Sequence, residues 1–570
     1  MSTTTAAEDA PSARRSEGED LTLRERIAAN PRPALTWGAV FALLVALEFG
    51  ALASGLIVLT RTAVVGITAV IQVALEALRV PFEALGLEPV VGIVNDVLGV
   101  WETSQGRFPV TSEAGDISRD TVEKIAESKR HDAPKTFSLL WVQYQLSDFL
   151  FGLQRFTESI PTLLNREVIP NQGYRTGPVG SWKNTFLGLE PAAAWAVRAT
   201  LVYVYAFLTM FWVFKAYNVY REHYRVADWT PRDDVIDRLR GHRWGQFGFV
   251  IVFMFVTMAI FAPTLGPTTA EANIESTYQN KVQYFDSESG QVEEVFVGQA
   301  NAGAKSKGQG DQNVGPLSYD DYGRYHPFGT DVNGQDLFTF MVAGSRISLF
   351  VGLIAIGLSA FIAATLSLLS AYYKGLVDLA TVIAADSVIA LPQFLILIMV
   401  SVAFQGHWLS RVYSGGMLIA LVFGLSGWPF LWRAVRGPSF QVAEEEWIDA
   451  AKSFGQRVPV TMRKHMLPYI LGYLLVYGSM SLGGIIIATS ALSFLGNGLG
   501  INPPTPEWGR AIAAGRNYVS TQSWHIATIP GVMIVLVVTA FNALGDGIRD
   551  AIDPESEGAE GGGAAAGGGG

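Results

Sequence analysis

The sequence predicts an all-α polytopic membrane protein with a six-span core, about two extra N-terminal spans and an extracellular insert. Of its 570 residues, 49% are hydrophobic and only 16% are charged, and its mean hydropathy is +0.28. Soluble domains usually carry roughly 25% charged residues, so the excess of apolar sequence indicates segments that lie in lipid. A helix needs about 20 mostly apolar residues to cross a bilayer. Windows that meet this requirement are 37–59, 193–214, 247–265, 347–369, 381–404, 413–431, 470–490 and 526–544.

Before the core, the sequence predicts two N-terminal parts, a tail and then an extension. Residues 1–34 are predicted to be a disordered cytoplasmic tail, because most of them are Ser, Thr, Ala, Glu and other residues that build no core. Residues 35–244 form the extension, whose two spans are separated by an outer segment, 81–191. Glu48 lies near the middle of the first span, where we expect its carboxylate to face protein.

The apolar stretch 62–80 has two interpretations. Arg61 leaves almost no turn after the preceding span, and Glu76 and Arg79 give the stretch a polar side. We therefore favour a helix on the outer membrane surface or packed on the bundle. A ninth span is the alternative, and it would move the N-terminus to the outside.

Orientation follows from the cations near the span ends, which are enriched on the cytoplasmic side. The loop between the second and third windows is the most basic one and is predicted to be cytoplasmic. Counting outward places both termini and 433–468 inside, and 81–191 and 266–345 outside. The cations of the basic loop are Lys215, Arg221, Arg225, Arg232, Arg238, Arg240 and Arg243.

Composition excludes several kinds of chemistry. The chain has no cysteine, which excludes disulfides, zinc–cysteine sites, iron–sulfur clusters and thiol nucleophiles. Its net charge of −10, with 11 lysines against 30 arginines, disfavours nucleic-acid binding and would suit a high-salt cytoplasm. The seven histidines lack metal-ligand spacing, and no GxxxxGK[ST] phosphate loop occurs. We therefore expect no metal, no cofactor and no catalytic activity in this chain.

The most informative polar segment is 441–469, on the predicted cytoplasmic side. Glu444, Glu445 and Glu446 suit a helix N-terminus, and Gly455 can take the left-handed conformation that ends the helix. A second short helix is predicted from 458 to 465, stopping near Pro468. Ala450 and Ala451, in the first of these helices, are small enough to let another surface approach closely. Spacing alone leaves a docking role and an ordinary membrane-surface loop equally open.

Within that segment, DAAKSFGQRVPVTMRKHMLP resembles the EAA motif of ABC importer permeases. In that family the motif forms coupling helices that dock into a groove of the ATPase subunit. Asp449 stands where the motif has Glu, which keeps the charge but shortens its reach. The resemblance implies a role in ATPase coupling for Glu446, Asp449, Ala450, Ala451, Gly455, His465, Leu467 and Pro468.

Three further stretches, 326–350, 492–510 and 541–554, resemble the second, C-type permease of dipeptide, oligopeptide and nickel importers. The first reads HPFGTDVNGQD where the family typically reads HPLGTDxxGRD, so Gln335 replaces the usual Arg. Its Gly and Asn-Gly turn formers predict a fixed re-entry into the bilayer, and we favour this structural role over substrate contact. The matching residues are His326, Pro327, Gly329, Thr330, Asp331, Gly334 and Asp336.

The resemblance assigns 245–554 to the ABC permease domain, and 555–570 is predicted to be a disordered Gly/Ala-rich tail. In the second stretch, the prolines before Trp508 suit a rigid outer loop with an interfacial aromatic anchor. Asp386 lies inside a span, six residues before Pro392. A proline frees a backbone carbonyl one turn earlier, so a structural role and a translocation role remain open for Asp386, which should face protein in either case.

The resemblance implies a permease subunit of an ATP-driven importer in the cell membrane, for dipeptides or oligopeptides, working by alternating access. Implied partners are a second homologous permease, two ATPase subunits that bind ATP and Mg²⁺, and an extracellular or lipid-anchored substrate-binding protein. Nickel complexes or another small solute are alternative substrates. Functions of other classes are an ion- or proton-coupled carrier, which should contain more buried charge, and a membrane scaffold or sensor without substrate flux.

Overall fold

A computed structural model describes most of the chain outside the tails and the 58–161 region. The described residues are 21–57, 162–177, 180–227, 230–308, 313–406, 408–410, 412–496 and 499–552, with residues 60, 64, 71, 149–150, 152–153, 156–157 and 160. Only residues 64 and 71 of the stretch 62–80 are described, so its two interpretations stay predictions, and the C-terminal tail lies outside the described residues.

The N-terminal extension contributes helices on both sides of its outer segment. A short antiparallel hairpin in that segment pairs Tyr174 with Lys183. The elements are α1 (Leu23–Ala29), α2 (Pro31–Leu47), α3 (Phe49–Ile57), β1 (Tyr174–Arg175), β2 (Trp182–Lys183) and α4 (Pro191–His223), with a 3₁₀ turn at Phe186–Gly188.

The predicted disorder of residues 1–34 is wrong for the part that is described. Helix α1 begins at a capping box in which Thr22 and Glu25 satisfy each other's backbone N–H groups. Arg26 then donates to the Tyr224 carbonyl at 2.7 Å, and the Tyr224 hydroxyl donates to the Asn30 carbonyl at 2.7 Å. These contacts tie the segment to the C-terminal end of α4.

The first predicted span, 37–59, is also not one continuous helix. Helices α2 and α3 meet at 80° around Glu48. The Glu48 side chain is buried, as expected, and its Oε1 accepts the N–H of Leu164 at 2.8 Å. A Cβ at Gly50 would come within 2.7 Å of the Thr157 carbonyl, so α3 crosses that backbone closely. The helix is therefore interrupted where the Glu48 carboxylate accepts a hydrogen bond from a residue more than 100 positions away in the sequence.

Among the described residues, the core that follows contains five unbroken helices long and apolar enough to cross a membrane and one bent pair of helices. Its helices are α5 (Pro231–Gly241), α6 (Arg243–Ile260), α7 (Ala262–Leu265), α8 (Val297–Gly303), α9 (Leu337–Tyr373), α10 (Gly375–Ala390), α11 (Gln393–Ala403), α12 (Gly416–Ala443), α13 (Glu446–Ser453), α14 (Val458–Thr461), α15 (Leu467–Leu495), α16 (Trp508–Gly515) and α17 (His525–Ile552). Its strands form two hairpins, β3 (Lys281–Phe285) with β4 (Val292–Phe296) and β5 (Ser318–Tyr319) with β6 (Tyr325–His326). Short 3₁₀ or π turns lie at Glu271–Glu275, Trp408–Ser410, Val412–Gly415, Met462–Met466 and Arg516–Tyr518.

In the described residues, six unbroken helices are long and apolar enough to cross a membrane, and two bent pairs raise the number to eight. The second bent pair is α10 and α11, which meet at 76° where the sequence predicts one span, 381–404. Pro392 lacks a backbone N–H and cannot continue the helical hydrogen bonds, so the chain turns at Leu391–Pro392. The all-α polytopic architecture is confirmed.

Close helix contacts in the core depend on small residues. Helix α6 packs against α17, and a Cβ at Gly248 would lie 2.5 Å from the Ala540 carbonyl oxygen. Gly245 faces Gly547 across the same contact. Small residues let membrane helices approach until their backbones touch, which replaces the hydrophobic driving force that is missing in lipid.

Candidate functional site

The predicted coupling segment forms a short amphipathic helix, α13. Glu445 is its N-cap, and Glu446 and Asp449 lie in its first turn, where the helix dipole favours acidic groups. Ile448 is fully buried in a cluster with Met466 and Ile470. Ile448 therefore anchors the helix to the bundle, and Lys452 adds a contact over the ring of Tyr372, 5.3 Å from its centroid.

The opposite side of α13 is apolar and uncovered. Trp447 and Phe454 are exposed, Phe454 to 92%, and Ala450 between them is exposed as well. Residues at i, i+3 and i+7 share one helix face, so these three form one surface, which we call the docking face. Gly455 follows with φ +71°, the left-handed conformation predicted for it.

Beyond Gly455 the chain does not form a second helix that stops near Pro468. Helix α14 continues through the π turn Met462–Met466 directly into α15, giving one span from Val458 to Leu495. Pro468 sits in the first turn of α15, where its missing N–H costs little, and the π turn absorbs the local change in hydrogen bonding. His465 and Leu467 are half-buried and Pro468 is exposed.

The motif that begins at His326 forms a buried polar network at the start of α9. His326 Nδ1 lies 2.8 Å from Asp336 Oδ2, and its Nε2 lies 3.4 Å from Asp320 Oδ2. Asp336 also caps α9 by accepting the N–H of Thr339 at 2.7 Å. Burial opposes protonation, but the two carboxylates outweigh it and raise the pKa of His326 above its ordinary value.

The rest of this motif fixes the loop before α9, as predicted from its turn formers. Asp331 Oδ1 accepts the N–H groups of Asn333 and Gln335, each at 2.8 Å. Burial raises the pKa of Asp331 to about 6. Gly329 has φ +76°, and a Cβ there would meet His525 Nε2 at 2.6 Å; Gly334 packs equally tightly on the Asn301 carbonyl. Pro327 lies in the same turn.

Trp508 is not the interfacial anchor that the sequence predicts. It is fully buried, and its Nε1 donates to the Met341 carbonyl at 2.8 Å. Its ring packs edge-on against Phe255, 5.8 Å between centroids. Trp508 thus begins α16 by joining it to α6 and α9.

Asp386 is paired on one side and exposed on the other. Its Oδ1 accepts from Arg433 on α12 at 2.6 Å. The side chains of Asp386 and Arg433 are nevertheless 57% and 51% exposed. The expectation that Asp386 faces protein is correct for its Arg433 contact and wrong for the rest of the carboxylate.

Sequence reasoning missed two arginines that join the extension to the core. Helices α6 and α7 end near Leu265, leaving carbonyls without helical partners. Arg166 donates to the carbonyls of Pro263, Gly266, Pro267 and Thr268, at 2.5 to 3.1 Å. Arg198, fully buried in α4, donates to Gly266 and to Ile169, each at 2.9 Å. We call this arrangement the arginine clamp. The position of Arg198 inside an apolar window was the available signal.

Comparison with known proteins identifies the family of the C-terminal part of the chain. Residues 355–557 match the binding-protein-dependent transport system inner membrane component, and residues 230–282 match the N-terminal TM domain of oligopeptide transport permease C. The chain is 31% identical over 326 residues to the dipeptide transport system permease protein DppC of Alkalihalophilus pseudofirmus, which covers 57% of this chain and 90% of the relative.

Two glutathione permeases show the same pattern. The glutathione transport system permease protein GsiD of Escherichia coli is 31% identical over 329 residues, 58% of this chain and 92% of the relative. GsiD of Pectobacterium atrosepticum is 35% identical over 243 residues, 43% of this chain and 75% of the relative. The matched region begins at residue 230, so it includes α5, which the boundary predicted at 245 leaves in the extension.

Proposed function

Because the chain belongs to the binding-protein-dependent inner membrane components, the permeases of ABC importers of the oligopeptide and dipeptide type, we propose that it carries dipeptides or oligopeptides across the cell membrane. The relatives are named for dipeptide and for glutathione transport. Both solutes are small, contain peptide bonds and carry free charged ends. This shared chemistry supports a peptide substrate over a nickel complex.

In this proposal, the energy for transport comes from hydrolysis of ATP, which two partner ATPase subunits bind together with Mg²⁺. The observation that carries it is the docking face, three exposed apolar residues on a helix held to the bundle by buried Ile448. Such a face suits a groove on another protein, because association removes its apolar surface from water. A second homologous permease and an extracellular or lipid-anchored binding protein complete the assembly. Both termini are cytoplasmic in this arrangement.

The proposed mechanism is alternating access, and the way α13 is connected to the bundle supports it. A ligand shifts two states only by its difference in affinity for them, so ATP and the loaded binding protein must each favour one state. Ile448 packs with Met466 and Ile470, which lie in the π turn and in α15. A displacement of α13 therefore reaches a 38-residue helical span directly.

Uptake of a labelled dipeptide by the complete importer in proteoliposomes tests this function, with and without internal ATP. Phe454→Ser should abolish ATP-dependent uptake and ATPase co-purification, because it removes the most exposed apolar side chain of the docking face. Gly455→Trp should do the same by blocking close approach. Val226→Ser, at an exposed apolar site outside α13, serves as the control.

Membrane insertion and thermal stability of the chain should stay unchanged in the Phe454 variant, since that side chain contacts little of its own protein. Normal ATP-dependent uptake in both α13 variants would rule out coupling through the docking face. Uptake that needs no ATP would instead identify an ion- or proton-coupled carrier.

A further inference from the structure

A cavity of about 360 Å³ lies where α9 begins and α15 ends, beside α16, which packs against both. Ligand pockets usually measure about 300 to 1,000 Å³, so this cavity suits a small solute. Its walls are held by close contacts. A Cβ at Gly509 would overlap the Ser490 carbonyl oxygen, so α16 lies directly on the backbone of α15, and Trp508 joins α16 to α9. The cavity is therefore part of the folded bundle.

Of the described residues that line this cavity, three are charged, namely Asp331, Arg510 and Arg516. They differ in burial, because Asp331 is only 7% exposed, Arg510 is half-buried and Arg516 is exposed. Leu337 and Phe340, which are buried, supply apolar wall. The negative charge thus lies in the buried part of the cavity, and the positive charges extend toward its exposed part.

Half of the Asp331 carboxylate is not used by its own loop. Oδ1 accepts the N–H groups of Asn333 and Gln335, whereas Oδ2 accepts no hydrogen bond from a described residue. The loop is fixed, because the Asp331 carbonyl accepts from Gly334 at 3.0 Å and from Ser306 at 3.1 Å. Asp331 Oδ2 is therefore an acceptor in a defined position that is available to a ligand.

Arg510 also retains hydrogen-bonding capacity. One terminal nitrogen donates to the Thr505 carbonyl, and the guanidinium lies over the ring of Phe340, 5.9 Å from its centroid. Its other N–H groups donate to no residue in the described part of the chain. The charge of Arg510 acts on Asp331, but within that same part no ion pair joins the two side chains. A cation and a carboxylate that line one cavity without contacting each other can bind one ligand together.

Helix α15 separates the cavity from the docking face. Its 29 residues extend roughly 40 Å at about 1.5 Å per residue, which is enough to cross a bilayer. At its start, Met466 lies in one cluster with Ile448 of α13, and at its end Leu495 lines the cavity. Because the proposed function places the ATPases at the docking face, the cavity is on the side from which an importer receives its substrate.

We propose that this cavity receives a peptide substrate by its two charged ends, with Asp331 Oδ2 accepting from the ammonium group and Arg510 donating to the carboxylate. Arg516 attracts the carboxylate toward the exposed part of the cavity. Two cations against one carboxylate favour a solute with a free carboxylate over an uncharged one. This inference rests on the proposed function and adds to it the site that first holds the substrate.

Protection of a thiol tests occupancy, since the chain contains no cysteine of its own. Ala514→Cys places a thiol at an exposed position that lines the cavity. Ala302→Cys is the matched control, at an exposed alanine of α8 that does not line it. The complete importer, purified in detergent at pH 7.5, is treated with sulfonatoethyl methanethiosulfonate, an anionic thiol reagent, with and without dialanine. The unsubstituted importer gives the background from partner subunits.

We expect saturating dialanine to slow modification of the Ala514→Cys thiol several-fold and to leave the Ala302→Cys thiol unaffected. Equal rates with and without dialanine in the Ala514 variant would overturn the proposal. Reaction of that thiol only when the chain is purified without partners would overturn it as well, because a partner subunit would then fill the cavity. ATP-dependent dialanine uptake persisting alongside either result would leave the proposed function intact.

Half-blocked peptides separate the two charges, because N-acetyl-dialanine keeps only the carboxylate and dialanine amide keeps only the ammonium group. In the Ala514→Cys background, Asp331→Asn should raise the dialanine concentration for half-maximal protection roughly tenfold or more, because a charged hydrogen bond is lost. Protection by N-acetyl-dialanine should not change. Arg510→Gln should weaken protection by dialanine similarly and leave protection by dialanine amide unchanged.

Thermal unfolding of both charge variants checks that the cavity is retained. Asp331→Asn keeps the acceptor for the N–H groups of Asn333 and Gln335, so its loop should stay folded. An equal loss of protection for dialanine and for both half-blocked peptides would mean that the substitutions distort the cavity, and it would overturn the assignment of Asp331 and Arg510 to the two ends of the peptide.

Discussion

His326 shows how one residue can connect the loop before α9 to the start of that helix. Its imidazole lies between Asp320 and Asp336, and Asp336 in turn caps α9. Because the folded-state pKa of His326 is raised above 6.5, its protonation stabilises the fold. This contribution is fully present below pH 6.5 and is lost as the pH rises through the folded-state value.

We expect His326→Gln to lower the free energy of unfolding by about 3 kcal/mol, because it leaves the buried Asp336 carboxylate without its cationic partner, whereas Asp320 keeps Arg324 at 2.6 Å. Thermal unfolding of the purified protein in detergent measures this loss between pH 5 and 9. His223→Gln, at a more exposed position at the end of α4, is the control. Equal melting temperatures for the His326 variant and the unsubstituted protein would contradict the network.

Asp331 is a second buried group whose pKa is raised, but here the cause is burial of a carboxylate and not a nearby opposite charge. Burial raises its pKa from 3.8 to about 6, so the carboxylate costs stability when it is charged. The stabilising contribution of the protonated form is complete below pH 3.8 and is lost as the pH rises through about 6. Asp331→Asn keeps an acceptor at Oδ1 for both turn N–H groups and removes the charge.

The Asp331→Asn variant should therefore be at least as stable as the unsubstituted protein at pH 7.5. It should also lack the component of pH dependence between pH 4 and 6, at most about 1.4 kcal/mol per pH unit. Thermal unfolding at several pH values measures it, with Glu288→Gln in an exposed turn as the control. Identical pH profiles for the variant and the parent would show that Asp331 does not titrate in this range.

At the scale of elements, the arginine clamp supplies hydrogen-bond donors from the extension to the carbonyls at the end of α7. Arg198→Met should lower the free energy of unfolding by about 1 to 3 kcal/mol, since buried carbonyls then lose a donor. Arg175→Met is the control, because Arg175 is exposed and its pair with Glu190 spans 3.9 Å. Thermal unfolding of both variants measures the difference. Similar small effects would mean that the carbonyls find other donors.

Helices and turns that depend on local sequence could be predicted, whereas those that depend on distant contacts could not. The apolar windows located the long helices, because moving about 20 apolar residues from water into lipid gains more free energy than the conformational preference of any single residue can oppose. The break at Glu48 depends on Leu164, more than 100 residues away, and no local pattern contains that contact. Trp508 suits either a membrane interface or a core, and only its bond to the Met341 carbonyl decides. Gly455 was predictable because its left-handed turn is a local property.

At the scale of the whole molecule, the extension and the permease core share one hydrophobic cluster. Leu164, Val202 and Tyr205 from the extension pack with residues of α6 and α7. Tyr205 meets the ring of Phe261 edge-on, 5.9 Å between centroids, and the clamp adds polar contacts at the end of α7. The extension is therefore part of the folded permease.

A cut between α4 and α5 tests this unity. With a protease site inserted there, the two fragments should remain together through affinity purification in mild detergent, because the shared cluster and the clamp hold them independently of the peptide bond. Adding Arg166→Gln and Arg198→Gln should weaken this association, since both variants remove donors to the end of α7 without altering the apolar cluster. Separation of the unsubstituted fragments after cleavage would show that the covalent link, rather than the shared core, holds the extension in place.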